Sequence, residues 1–93
     1  GGLIGLTTSL ATELGAHNIN VNAIAPDYIE TPMTREAARK DDLYLDDFKQ
    51  AALAFIPLRR LGTPDDVARV AVFLASSESS YVSGQVIGVK GGP

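Results

Sequence analysis

Apolar residues open the chain at intervals of three and four: Leu3, Leu6, Leu10 and Leu14 form one line, with Ile4 and Ala11 beside it. This is the period of a helix that buries one face, and it predicts a helix over residues 2–14. Gly15 follows as the expected left-handed C-cap and Ala16-His17-Asn18 as a turn. Gly5, which costs about 1 kcal/mol against Ala inside a helix, reads as a place where another element packs closely. Residues 19–25 then alternate, with Ile19, Val21 and Ala23 on one face and Asn20, Asn22 and Ile24 on the other. A short strand is predicted, ended by Pro26 because proline cannot donate to a ladder, and its apolar character suits a parallel sheet covered by helices.

Periodicity weakens from Asp27 to about Ala54. Pro32 interrupts, Asp41-Asp42 and Asp46-Asp47 are like-charged pairs, and Leu43, Leu45 and Phe48 are spaced for short helical turns. A mobile lid or helical excursion over a binding crevice and a solvated loop with small satellite packing both fit these features. Order returns at Thr63-Pro64-Asp65-Asp66, where Thr63 can cap free amides, Pro64 suits the first helical position and Asp66 can complete a capping box. Val67, Val70, Ala71 and Leu74 make the buried stripe of the helix that starts there, and Asp65 can pair with Arg69. Ser76 to Ser80 end it, residues 84–89 read as a second strand, and Gly91-Gly92-Pro93 stop that strand. The order is helix, strand, irregular segment, helix, strand. Two strands do not make a stable sheet alone, so they are expected to complete a sheet whose other strands lie outside this sequence.

Composition narrows the chemistry. The chain has 93 residues, a net charge of -3 and no Cys, which gives no basic field for nucleic acid and leaves out disulfides, thiolate metal sites and cysteine nucleophiles. Residues 27–50 hold seven Asp/Glu against four Lys/Arg, so the acidity is local. The single His17 lies near no orienting partner or nucleophile in sequence and reads as a turn or surface residue, with no metal site around it. No segment approaches the ~20 apolar residues of a membrane span, which gives cytoplasm as the expected location. Arg59-Arg60 can reach a phosphate or acidic substrate, stay solvated, or anchor the lid.

Several segments in one order carry a likeness. Gly1-Gly2-Leu3-Ile4-Gly5-Leu6-Thr7, then Asn22-Ala23-Ile24-Ala25-Pro26 with Tyr28-Ile29-Glu30-Thr31-Pro32-Met33, then Pro57 to Ala68, then Phe73-Leu74-Ala75-Ser76 and Tyr81-Val82-Ser83-Gly84-Gln85, together resemble the C-terminal part of short-chain dehydrogenases/reductases. The resemblance implies an α/β fold, the C-terminal portion of a doubly wound parallel-sheet (Rossmann-like) domain, with residues 1–93 as an incomplete part of one domain and 27–54 as its substrate lid. It implies NAD or NADP as cofactor, an alcohol or carbonyl as small-molecule substrate, and a homodimer or homotetramer with the last strand near the interface. Pro26, Ile29 and Thr31 resemble the cofactor-binding residues: the Ile29 main chain would meet the nicotinamide carboxamide, and Thr31 would bind near the carboxamide and pyrophosphate. Read from the residues alone, Ile29 can equally pack a loop and Thr31 start a short helix before Pro32.

No catalytic residue is expected within this sequence. The family's Tyr-x-x-x-Lys would lie just before Gly1, none of Tyr28, Tyr44 and Tyr81 has Lys four residues later, and no Gly-rich pyrophosphate turn follows a strand. The expected function is therefore part of an NAD(P)-dependent oxidoreductase; the alternative is a catalytically inactive Rossmann-like binding or assembly module. Two positions depart from the family. Asp27 stands where relatives have Gly, which would be strained at positive φ and would set a carboxylate near a pyrophosphate, so Asp27→Gly is expected to strengthen cofactor binding or leave it unchanged. Lys90 stands where relatives have Asp.

Overall fold

The structure is a computed structural model and describes residues 1–30, 32 and 43–93. In chain order the elements are α1 (Gly2–Leu14), β1 (Ala23–Pro26), α2 (Leu43–Phe55), α3 (Pro64–Ala75) and β2 (Val86–Val89), with single 3-10 turns at Gly15–His17 and Ser77–Ser79. Contacts group them into two compact units, one of Gly1–Ala25 with Ala68–Gly88, the other of Pro26–Val67 with Val89–Pro93.

In the first unit α1 has the predicted bounds, but its end differs. Gly15 is right-handed (φ -59, ψ -36), the chain turns once more, and Asn18 takes the left-handed cap with φ 59. Asn reaches that conformation more easily than other residues with a side chain, so the stop comes three residues late. Thr7 is buried and its hydroxyl donates to the Leu3 carbonyl, whereas Leu3, Ile4 and Leu6 are exposed. Gly5 does not serve close packing among the described residues: a methyl group placed on it would meet nothing within 4 Å.

The strand predicted over 19–25 begins at Ala23, because before it side chains take over most of the pairing and, among the described residues, a single main-chain bond, Gly84 N–H to Val21 O at 2.7 Å, remains. Asn20 Nδ2 donates to the carbonyls of Ser79, Ser80 and Val82, and Asn22 Nδ2 to that of Val82, while Asn22 Oδ1 accepts from the Gln85 amide. These bonds satisfy an irregular segment without requiring a strand conformation. They also account for β2 starting at Val86 rather than residue 84.

β1 and β2 form a two-stranded parallel sheet. Its register follows from two bonds, Ala23 N–H to Gln85 O at 2.9 Å and Asp27 N–H to Val89 O at 3.1 Å, which advance four residues on both strands. With a side-to-side period of two, the amides of residues 23, 25 and 27 face β2. The nitrogen of Pro26 therefore lies at the opposite edge, and proline is the last residue of the strand without removing a bond from this ladder.

In the second unit α2 is a thirteen-residue helix, the helical excursion in a longer form than the short turns that Leu43, Leu45 and Phe48 suggested; residues 31 and 33–42 of the anticipated lid lie outside the described residues. Ile56 after α2 is 1% exposed. Leu58 N–H donates to Gly91 O, and Gly91 (φ 76) and Gly92 (φ 144) approach Ile56 and Pro57 too closely for a side chain.

At the start of α3 the capping box forms as predicted: Asp66 N–H donates to Thr63 Oγ1 at 3.2 Å, and Thr63 N–H donates to Asp66 Oδ2 at 2.8 Å. The ion pair differs, since Asp66 binds Arg60 rather than Asp65 binding Arg69. Val67, Val70 and Leu74 are half-buried as the stripe predicted, but Ala71 is exposed.

Candidate functional site

The site is built where the chain leaves the carboxyl end of β1. Asp27 N–H makes the last ladder bond, and Asp27 Oδ1 accepts the next amide, Tyr28 N–H, at 2.9 Å. Tyr28 is left-handed, with φ 56, and the chain pivots there. Beyond the pivot Ile29 bridges Gly62 in parallel: Gly62 N–H donates to Tyr28 O at 2.9 Å and Glu30 N–H to Gly62 O at 2.8 Å.

This bridge uses the peptide groups flanking Ile29 and leaves those of Ile29 on the opposite side. Neither its N–H nor its C=O has a partner among the described residues. A free donor and a free acceptor on one residue are complementary to a primary carboxamide, which offers an acceptor oxygen and a donor nitrogen. The approach is close at Gly62, where a methyl group would lie 2.7 Å from Ile29 Cδ1, the far end of that side chain.

Two arginines fix the surroundings. Arg60 Nη1 and Nη2 reach Asp66 Oδ2 and Oδ1 at 2.7 and 3.2 Å, a bidentate pair. Hydrogen bonding to Arg60, and next the Thr63 amide, holds the Asp66 carboxyl well below the usual carboxylate range, and the same bond raises Arg60. Arg59, itself left-handed, donates Nη1 to Ala54 O at 3.0 Å, at the last turn of α2. Of the roles open to these arginines, the Arg59 bond serves anchoring of α2, and the Arg60 pair serves the start of α3.

Of the sequence-predicted site residues, Pro26 ends β1, Ile29 lies at the bridge, and Thr31 falls outside the described residues. The anticipated strain at Asp27 is not found: the left-handed residue is Tyr28, and Asp27 supplies its hydrogen-bond acceptor. The Asp27 carboxylate is engaged by the Tyr28 amide, an interaction that the expected repulsion, and with it the expected gain from Asp27→Gly, did not include. His17 and Lys90 are exposed, and among the described residues no cluster of His, Cys, Asp or Glu could hold a metal ion. The role of Gly62 escaped the sequence reading, although a glycine just before a capping threonine is a signal for close backbone approach. Tyr28 carried no comparable signal.

A family model described as enoyl-(acyl carrier protein) reductase, from the short-chain dehydrogenases/reductases, matches residues 1–93. The chain belongs to the short-chain dehydrogenase/reductase family. Within it, the chain is 53% identical over 91 residues to the 3-oxoacyl-[acyl-carrier-protein] reductase FabG of Thermotoga maritima, covering 98% of this chain and 34% of that protein. A Brucella melitensis 3-oxoacyl-[acyl-carrier protein] reductase with bound NAD superposes with a TM-score of 0.76 at 41% identity, covering 98% of this chain and 30% of that one. YwfH, an NADPH-dependent reductase involved in bacilysin biosynthesis, gives 0.81 at 32% identity, covering 98% and 36%. The chain thus spans about a third of the length of these short-chain dehydrogenase/reductase relatives. Their fold class is the α/β Rossmann type that the sequence implied.

Proposed function

We propose that this chain serves an NAD(P)-dependent oxidoreductase that interconverts an alcohol and a carbonyl, with a 3-oxoacyl thioester as the substrate class. The observation that carries the reading is the unpartnered main chain of Ile29 just beyond the carboxyl end of a parallel strand, where open α/β sheets place their ligands. Similarity supports the chemistry, because relatives across nearly all of this chain are 3-oxoacyl-[acyl-carrier-protein] reductases, one of them solved with NAD.

In this reading Ile29 N–H donates to the carboxamide oxygen, Ile29 C=O accepts from its nitrogen, and the ring is thereby oriented toward substrate. The nicotinamide, when bound, supplies or accepts the hydride. Pro26 keeps the neighbouring strand edge free of a donor at its nitrogen, and Thr31 follows as a further cofactor contact. Proton transfer belongs to a Tyr-x-x-x-Lys pair that this sequence does not contain. Residues 27–54 act as the substrate lid, with Arg59 tying the end of α2 to the bridge segment. Assembly as a homodimer or homotetramer and a cytoplasmic location complete the proposal; among the described residues no helix is long and apolar enough to cross a membrane.

The test is nicotinamide oxidation by the full-length protein with 3-oxoacyl thioesters and a panel of simple ketones. Saturable turnover with NADH or NADPH is expected. Absence of turnover with every member, in a protein that unfolds cooperatively, would remove the proposal.

A further inference from the structure

We infer that Asp27 is a positioning residue that holds the Ile29 main chain toward the cofactor, an inference that rests on the function proposed above. The ladder directs Asp27 N–H to Val89 O, so strand alternation turns the next amide, that of Tyr28, away from β2. No carbonyl of the described residues takes this amide; its acceptor is the Asp27 carboxylate at 2.9 Å. The bond acts at the residue where the chain pivots, φ 56 at Tyr28, a conformation that a tyrosine seldom adopts unless its surroundings impose it. From that pivot both bridge bonds follow: Tyr28 O receives Gly62 N–H, and Glu30 N–H reaches Gly62 O. Only with both made do the Ile29 donor and acceptor face away from Gly62. The Asp27 carboxylate and the Gly62 peptide thus clamp Tyr28 from its two sides. Asp27 is exposed and is not itself left-handed, so its acceptor oxygen, not its backbone freedom, is the property used.

The charge and the acceptor separate by substitution. Asp27→Asn keeps an oxygen for the Tyr28 amide and removes the charge; Asp27→Ala removes both. In the full-length protein we expect Asp27→Ala to speed hydrogen exchange at the Tyr28 amide and to raise the Kd for NAD(H) or NADP(H), each by roughly three- to tenfold, the range of one lost hydrogen bond. Asp27→Asn should recover most of both. The inference is overturned if Asp27→Ala binds cofactor like the wild type, or if Asp27→Asn loses as much affinity as Asp27→Ala, which would make charge the active property. Failure of the proposed function is a different result: there the wild type binds neither cofactor saturably, whatever the variants do.

Discussion

Gly62→Ala perturbs the bridge from the side opposite the proposed ligand. The new methyl would stand 2.7 Å from Ile29 Cδ1, whereas Asp66 Oδ2 at 3.6 Å and Tyr28 O at 3.9 Å are ordinary neighbours. Carbon atoms in good contact are about 3.5–4.0 Å apart, so roughly 1 Å must be found. The δ-methyl is the far end of a flexible side chain and can supply it by leaving its rotamer, at about 0.5–1.5 kcal/mol. The bridge bonds of 2.8 and 2.9 Å, and with them the Ile29 main chain, then stay in place. Gly62→Ala should therefore lower stability by about 0.5–1.5 kcal/mol and weaken cofactor binding by less than about tenfold. Ile29→Val deletes the offending δ-carbon, so the double variant should be more stable than the sum of the two single changes. Ile29→Val alone should leave cofactor affinity within about twofold, because the contact is made by main-chain atoms. Denaturant and cofactor titrations on the four full-length proteins measure all of this. Strict additivity would rule out the clash at Ile29 Cδ1, and a tenfold affinity loss in Ile29→Val would rule out a contact made by main-chain atoms alone.

Gly91→Ala should cost about 2–4 kcal/mol in denaturant titrations, since it combines a left-handed L-residue with overpacking; its methyl would lie 2.6 Å from Cγ2 of the buried Ile56. A loss on the order of 1 kcal/mol or less would contradict that packing. The depressed Asp66 carboxyl contributes stability fully above the ordinary value of 3.8 and loses it as pH falls toward the folded-state value, so wild type and Asp66→Asn should differ near neutrality and converge in acid. A difference that grows on acidification would reverse the sign. Residues 1–93 alone should show no cooperative thermal transition and no turnover, because Leu3, Ile4 and Leu6 of α1 and Val72 and Phe73 of α3 are exposed apolar side chains. Cooperative melting of a monodisperse sample would overturn this expectation.

The elements with strong local causes were legible in the sequence. The three-and-four spacing of leucines placed α1, and Thr63-Pro64-Asp65-Asp66 placed the start of α3 to the residue. The misses share a cause, which is that long-range partners decided them. Pro26 is accommodated in β1 because its nitrogen faces away from β2, an orientation fixed by the register, and Asn20 and Asn22 displace strand pairing by bonding to carbonyls about sixty residues away. At the site, Ile29 was legible as a residue by resemblance, but the reason its main chain is free lies in the bridge to Gly62. Asp27 was read through its own backbone, whereas its consequence is at the next residue.

In the proposed function the free peptide groups of Ile29 receive the nicotinamide carboxamide. Its most direct test is the amide resonance of isotopically labelled Ile29 in the full-length protein, followed while NADH and NADPH are titrated. A saturable shift of this resonance with the affinity measured in bulk is expected, larger with the intact cofactor than with an analogue lacking the carboxamide. Saturable cofactor binding that leaves the Ile29 amide unmoved, or moves it equally with the analogue, would contradict it.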